Sequence, residues 1–520
     1  MTDDPRSLLS LLTVVLLLTA CTGGDPTSTA AIDGPGSSVD EPAPDAGETD
    51  DADAMDDPPA DADATPDATP DDADATPDAS PDADAGDTTT ELVPTSLAEN
   101  TQRFPLGVQA GGMRPDSALF WTKVTDTAPK TLLVWRPTDD PTRIAVAAEV
   151  VAEPADGGFI EVRAAGLDAG TWYSYAFFDG QDLSFSSRSR IGQVRTALTD
   201  GVTEPITIGA TSCTKFTRAP YDALSLMATE PLDAFVHLGD MSYNDDASTL
   251  EEHRALWEQT LRDPGYAALL PSTGLYATWD DHELQNNLDP ERADPVRLAG
   301  AKAAFFETLA VEPGPAGQLW SSFRWGDAVE FFVLDSRSER RPSTRGTLPE
   351  IYLSRAQLNW LVAGLKDSPA HFKVVLNSVP ITRMPPLWLA QEDRWQGYPS
   401  QRDELLDFIV NEDIRNVWFL TGDFHCGFVS HVEADGPRRR IREIAVGPGA
   451  NGPNPLAAGA EIGVPPRQSV FPAAQFAYGS AAIEVATFLR FDPATNSVHV
   501  RFVDAATEVA LFDETLSEDD

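Results

Sequence analysis

Four short segments, far apart in the chain, each close an apolar run with residues that can bind metal. They are Ser212-Cys213, Gly239-Asp240-Met241-Ser242-Tyr243, Trp279-Asp280-Asp281-His282-Glu283 and Gly422-Asp423-Phe424-His425. Carboxylate oxygens, an imidazole, a thiol and a phenol brought together would make a centre for more than one metal. The thiolate of Cys213 and the phenolate of Tyr243 favour a redox-capable transition metal, and a phenolate suits trivalent iron. The carboxylates, with a nearby Asn, suit calcium or another hard cation. Taken singly each motif is weak, because Gly-Asp pairs are common in turns and an Asp-Asp-His can be a solvated loop. Their weight comes from the recurrence of apolar strand, sharp turn and ligand.

The runs that carry these residues are short and β-rich. Ile206-Thr207-Ile208 leads to Cys213, Phe235 to Leu238 leads to Asp240, and Val417 to Leu420 leads to Asp423. Such runs, bounded by glycine or charge, predict buried strands. Two more, Glu330 to Leu334 and Lys373 to Leu376, stop at Asp335-Ser336-Arg337 and Asn377-Ser378. Ligand groups in α/β sheets gather beyond the carboxyl ends of strands, so one edge should collect Cys213, Asp240, Asp335, Asn377 and Asp423. From Pro205 onward strand runs alternate with helical patterns, the mark of an α/β domain. Ser354-Arg355-Ala356-Gln357 reads as a capping box that opens a helix with Leu358, Leu361 and Leu365 on its apolar face.

Residues 101–201 instead show short strands at sandwich-like spacing, among them Ala118 to Trp121, Thr131 to Trp135, Ile144 to Val146 and Phe159 to Val162. The stretch Leu167 to Tyr175 resembles the tyrosine corner of fibronectin type III domains. Trp121, Trp135 and Trp172 are expected to pack the core there. His237 lies inside a strand and is expected to be a core histidine.

The net charge is −46, which rules against a nucleic-acid-binding surface. About half of that charge lies in residues 22–100, which contain no Lys or Arg and repeat Asp, Ala, Thr and Pro. This composition cannot bury enough apolar surface to order itself, so residues 21–100 are expected to form a disordered acidic tether. Leu8 to Ala20 is apolar but too short to span a bilayer, as in a secretory signal over residues 1–20. Leu18-Thr19-Ala20-Cys21 matches the lipobox of bacterial lipoproteins, which implies lipidation at Cys21. The expected location is then outside the cytoplasm, anchored to a membrane, at the outer membrane, cell surface or periplasm. Cys213 and Cys426 remain, so no disulfide framework is required.

The ordered set of motifs resembles the PhoD-type alkaline phosphatases and phosphodiesterases, a branch of the calcineurin-like metallophosphoesterases. The resemblance runs from about Phe104 to about Val503. It implies a four-layer α/β/β/α catalytic domain over residues 202–508, preceded by a fibronectin/Ig-like β-sandwich, with an acidic tail over 509–520. It further implies Fe(III) held by Cys213, Asp240, Tyr243 and His425, with Asp240 shared between metals. Ca(II) would be held by Asp281 and Asp423, with Asn377 or one of Asn286 and Asn287; other divalent metals are also compatible. His282 would touch the phosphate and assist the leaving group. Met241-Ser242 and Asn377-Ser378-Val379 depart from the usual family form.

The implied activity is hydrolysis of phosphate mono- or diesters, on a small molecule, phospholipid or cell-wall polymer. Paired metals lower the pKa of water and stabilise charge on phosphate oxygens. Arg337 is a candidate phosphate clamp, with a structural pair to Asp335 or Glu339 as its alternative. Arg438-Arg439-Arg440 is read as a solvated turn, with a place on the rim of the site as its alternative. The competing function is a catalytically inactive, metal-stabilised surface binding protein, against which the presence of His282 beside Asp281 argues.

Overall fold

The computed structural model describes residues 89–90, 96–139, 143–181, 184–314 and 316–520, and these fall in one compact unit. The signal segment, Cys21 and nearly all of the acidic tether lie outside the described residues.

Two sheets form the heart of the molecule. One has ten strands and contains Ile206–Thr214, Ala234–Leu238 and Gly274–Thr278 as parallel neighbours. The other has seven strands and contains Val329–Val333, Phe372–Leu376, Val417–Thr421 and Arg442–Ala445, also parallel. Side chains alternate across these strands, so each strand serves two cores. Phe331, Val374, Trp418 and Leu420 join Ile206, Ile208, Phe488 and Phe491 in the core between the sheets. Phe332, Val375 and Phe419 face the other way, onto Leu358, Leu361 and Leu365 of the helix Arg355–Asp367 and Leu405, Leu406 and Ile409 of Pro399–Asn411. On the ten-stranded sheet the close approach of helix Asp222–Met227 needs Gly209, where a Cβ would stand 2.7 Å from Leu232 Cδ1 and 3.2 Å from Met227 Sδ. Helices therefore cover both outer faces, giving the expected four layers.

The expected capping box at Ser354 is half formed. Ser354 accepts from the Gln357 N–H at 3.2 Å, but the Gln357 amide reaches the Asp335 turn, accepting from its N–H at 2.9 Å and donating to its carbonyl at 3.2 Å. A complete box, unread in the sequence, opens Leu250–Leu261 with Thr249 and Glu252.

The N-terminal region is built of the expected strands, shared between two sheets. Ile144–Ala152, Lys130–Pro137, Trp172–Gln181, Ser184–Arg188 and Gly192–Arg195 belong to a separate six-stranded sheet. Val108–Arg114, Ser117–Lys123 and Phe159–Ala165 instead extend the ten-stranded sheet, through the parallel pairs Ala110–Gly274 and Gly111–Leu275. The tyrosine corner is present: the Tyr173 hydroxyl accepts from the Asp168 N–H at 2.8 Å. Trp121 and Trp135 are buried as expected, whereas Trp172 is 40% exposed.

The chain end corrects the expectation of an acidic tail. Val509–Leu516 is an edge strand paired with Ser497–Asp504. Beyond it Glu518, which is nearly buried, binds Arg415 Nε at 2.8 Å, Arg440 Nη1 at 2.8 Å and the Asn416 N–H. Local acidity hid this, because the neutralising arginines lie elsewhere in the sequence. Glu518→Ala should cost about 2 kcal/mol by stranding these donors. Faster amide exchange confined to Val509–Leu516 would accompany the loss, and an unchanged exchange pattern would count against the clamp.

Candidate metal centre

The loops after the strands are tied across the sheet by their own backbones. The Cys213 N–H donates to Gly239 O at 3.1 Å, Thr214 N–H to Asp240 O at 2.9 Å and Asn244 N–H to His282 O at 2.8 Å. Cys213, Asp240, Asp423 and His425 all have left-handed backbones, with φ of 56°, 57°, 62° and 50°. Non-glycine residues in this region are uncommon and strained, and they cluster where side-chain direction matters. The preceding glycines are required by proximity. A Cβ on Gly422 would stand 2.6 Å from Ser212 Cβ, and one on Gly239, itself at φ 96°, would stand 2.4 Å from Asp280 Cβ. Gly239→Ala should therefore lose about 2–3 kcal/mol in denaturant unfolding. A loss within experimental error would mean that the loops separate easily.

Three sets of ligand atoms converge, each within 4.8 Å: Cys213 with Asp240 and His425, Asp240 with Asp281 and His282, and Asp280 with Asp281 and Asp423. Asp240 and Asp281 each belong to two sets, so the clusters are contiguous. The Tyr243 hydroxyl donates to Asp240 Oδ2 at 3.2 Å, and Asn451 Nδ2 donates to the Tyr243 oxygen while lying 3.1 Å from His425 Nε2. His282 packs against Tyr243 with ring centroids 4.2 Å apart and the planes tilted by 32°. Its backbone N–H meets Asp240 Oδ1 at 3.3 Å, and its Nδ1 lies 2.8 Å from both carboxylate oxygens of Asp245.

Burial dominates the electrostatics. It pushes the Asp240 carboxyl well above its usual range, and Asp281, Asp280 and Glu283 add repulsion that His282 only partly offsets. Asp423 is raised likewise, by burial and then by Asp280. Burial and Asp240 raise the Cys213 thiol. Burial lowers His425 to about 4, leaving a neutral imidazole able to donate a lone pair. On His282 burial opposes protonation, but Asp240, Asp245 and Asp281 outweigh it and hold the pKa up at about 10. A buried group of acids that crowds its own negative charge, beside a neutral histidine and a buried thiol, is a donor set suited to multivalent cations.

The sequence reading of this site needs two corrections. Asn377 does sit at a strand end, but its amide is used locally, accepting from Ser336 Oγ and donating to Val379 O, so it is not directed to a metal. Arg337 is fully buried rather than free to clamp a substrate. Its guanidinium binds Asp280, Asp393 at 2.8 Å and Asp423 at 3.3 Å, while only its backbone N–H meets Asp335, at 3.2 Å from Oδ1. Asn286 and Asn287 contribute backbone N–H groups, to Asp245 Oδ1 at 2.7 Å and to Asp281 Oδ2. Arg438 pairs with Asp403 and Asp407, and Arg440 with Glu518, so the arginine run serves structure. His237 is a core histidine as expected, buried with Nε2 3.0 Å from the Tyr266 hydroxyl.

Other residues at the site were not anticipated. Asp245 holds His282, Asn451 links Tyr243 to His425, and Glu283 accepts from the N–H groups of Asp240 at 3.1 Å, Met241 at 2.7 Å and Asp280 at 2.9 Å. The doubled acid of Trp279-Asp280-Asp281 was a signal for Asp280, while Asn451 carries none that distinguishes it from a loop asparagine.

Comparison with known proteins gives this arrangement a family. The profile described as PhoD-like phosphatase matches residues 208–470, about half of the 520-residue chain. The chain belongs to the PhoD-like phosphatase family. The N-terminal domain of PhoD-like phosphatases matches residues 90–198 in addition. Alkaline phosphatase D of Bacillus subtilis (strain 168) is 29% identical over 391 residues, which cover 64% of this chain and 66% of that protein's length. A solved structure of PhoD superposes with a TM-score of 0.66 at 22% identity, covering 80% of this chain and 89% of that one. Purple acid phosphatase PPD1 from yellow lupin (Lupinus luteus) seeds superposes with a TM-score of 0.55 at 11% identity, covering 79% and 73%. These two likenesses are of fold, and the PhoD-like fold is thus shared with a second kind of phosphatase.

Proposed function

We propose that the protein is a metal-dependent phosphoesterase, exported and lipid-anchored through Cys21, that hydrolyses phosphate mono- or diesters. The observation that carries this reading is the contiguous ligand set joined by Asp240 and Asp281, with His282 beside it. Cys213, Asp240, Tyr243 and His425 would hold Fe(III), and Asp281, Asp280 and Asp423 would hold Ca(II). Such ions polarise phosphate oxygens and lower the pKa of water.

The chain's own residues supply the rest. Asp245 accepts from Nδ1–H of His282 and, with Asp240 and Asp281, keeps the ring protonated, which leaves Nε2–H as the donor for a substrate. The tilted contact with Tyr243 and the backbone bond to Asp240 hold the ring in place. Nε2 then donates a proton to the departing alkoxide, which matters most for alkyl esters, whose leaving groups are poor. His282→Asn should lower kcat about a hundredfold for an alkyl phosphate and much less for a 4-nitrophenyl ester. Equal losses on both substrates would refute the proton-donor role.

The direct test measures metal content and turnover of 4-nitrophenyl phosphate and bis(4-nitrophenyl) phosphate on purified residues 96–520. Hydrolysis of either ester, lost on chelation and restored by iron with calcium, supports the proposal. Chelation should also lower Tm, because the ions bind only the folded chain. Folded protein that binds no metal and turns over neither ester would sink the reading in favour of a surface binding role.

A further inference from the structure

The segment that follows Cys213 carries two cations that the chemistry described above does not use. Lys215 Nζ lies 5.4 Å from the centre of the Tyr243 ring. Arg218 ends the short helical turn Phe216–Arg218, and its Nη2 stands 3.6 Å from where a Cβ on Gly452 would lie. Gly452 adjoins Asn451, which bonds both Tyr243 and His425. The turn is fixed against this loop: the Lys215 N–H donates to Ala450 O at 2.9 Å and the Arg218 N–H to Lys215 O at 2.8 Å. The two side chains therefore stand at one edge of the metal centre, along the line from Tyr243 to Asn451.

Both are exposed, and neither forms an ion pair among the described residues. Several other cations of the fold are engaged. Lys130 and Lys366 pair with carboxylates, and Arg438 and Arg440 each meet at least one. In a chain of net charge −46, two free cations beside a group of buried carboxylates have no acid to neutralise at hydrogen-bond range. Burial, then Asp222 and Asp504, raise the Glu484 carboxyl, and Arg218 only partly offsets them without forming an ion pair.

We propose that Lys215 and Arg218 form a cationic lip that binds a second anionic group, such as a carboxylate or phosphate, on a phosphate ester whose scissile phosphate sits over the metal centre. The inference rests on the phosphoesterase reading and adds its specificity: the preferred substrates carry an extra negative charge close to the ester. The overall field of an acidic protein repels a more highly charged ligand. A preference for the extra charge must then come from local contacts, and a guanidinium with an ammonium at the mouth of the site supplies them.

The test uses a matched pair of inhibitors of chromogenic ester hydrolysis, sn-glycerol 1-phosphate and 3-phospho-D-glycerate, which share the configuration at C2 and differ only in that a carboxylate replaces a hydroxymethyl group. The wild-type protein should bind 3-phosphoglycerate about fivefold to tenfold more tightly. Lys215→Gln with Arg218→Gln should bring the ratio of inhibition constants to about one, while Lys215→Arg should retain most of the preference. A wild-type ratio near one, or a ratio that persists in the double variant, overturns the lip. Should the wild-type protein hydrolyse no ester, the phosphoesterase reading fails by itself, and titration calorimetry with the same two ligands still decides whether the lip selects the carboxylate.

Discussion

Asp240→Asn should reduce turnover by about a thousandfold or more and release bound metal, while leaving the metal-free fold at least as stable as before. The first part follows from position: Asp240 shares ligand sets with Cys213 and His425 on one side and with Asp281 and His282 on the other. An amide keeps the shape but withdraws the negative charge from both sets. The second part follows from burial. With no cation present, burial and the surrounding acids raise the Asp240 carboxyl well above its usual range, so its ionised form is a burden on the metal-free protein. Replacing it by a neutral amide removes that burden. Thermal unfolding with and without chelator separates the two effects. The wild-type protein should show a wide gap between its two Tm values, and Asp240→Asn should show almost none, with a metal-free Tm equal to or above the wild-type value. A variant that keeps full metal content would contradict the place of this carboxylate in both ligand sets.

Arg337→Leu should be the most destabilising single change at the site, at about 3–5 kcal/mol. Arg337 is fully buried and its guanidinium is shared among Asp280, Asp393 and Asp423, with Asp281 at 3.8 Å. Removing one partner of a buried ionic group strands the others, which costs far more than the pair is worth against an apolar replacement. Asp280 is fully enclosed and cannot recover hydration. Adding Asp280→Asn to Arg337→Leu should therefore restore part of the loss, and a double variant no better than the single one would show that the arginine acts through packing alone. Denaturant unfolding of the metal-free protein is the appropriate measurement, because it excludes stabilisation by bound ions. A loss below about 1 kcal/mol would mean that the arginine reaches solvent and is available to a ligand after all.

The strand-end ligands were legible in the sequence because three signals coincided: an apolar run, a glycine or sharp turn, and a residue with a strong donor. Cys213, Asp240, Asp281, Asp423 and His425 carry all three or sit beside residues that do, and they converge. Asn377 shows the limit of that rule. It ends a buried strand as the ligands do, yet Ser336 and Val379 take its amide, and no one-dimensional pattern indicates which way a side chain turns. Arg337 fails for a related reason. Its acidic partners at 280, 393 and 423 are distant in sequence, while Asp335 takes its backbone N–H and not its guanidinium, and Glu339 accepts from Trp320 and Gln357. Asp245 was hidden because its importance lies in contact with the loop that carries His282. At the fold level, periodicity indicated an α/β domain and the family resemblance its four layers, but neither indicated the sharing of strands between the N-terminal region and the large sheet. Alternating apolar residues state that a strand has two faces, and they do not name its neighbours.

That sharing has a consequence for how such a protein can be inherited. The family profiles divide the chain between residues 198 and 208, yet the hydrogen bonds do not respect the division: Val108–Arg114 is laid directly against Gly274–Thr278, and Gly111 has backbone from Ala310 where a side chain would stand. A gene fragment that began at residue 202 would encode a sheet whose new edge, Gly274–Thr278, keeps Ala234–Leu238 on one side and has lost its partner on the other, an invitation to pair with any other chain. Recombination cannot exchange the front of this protein as it exchanges a freestanding module, so the two halves must be duplicated, transferred or lost together.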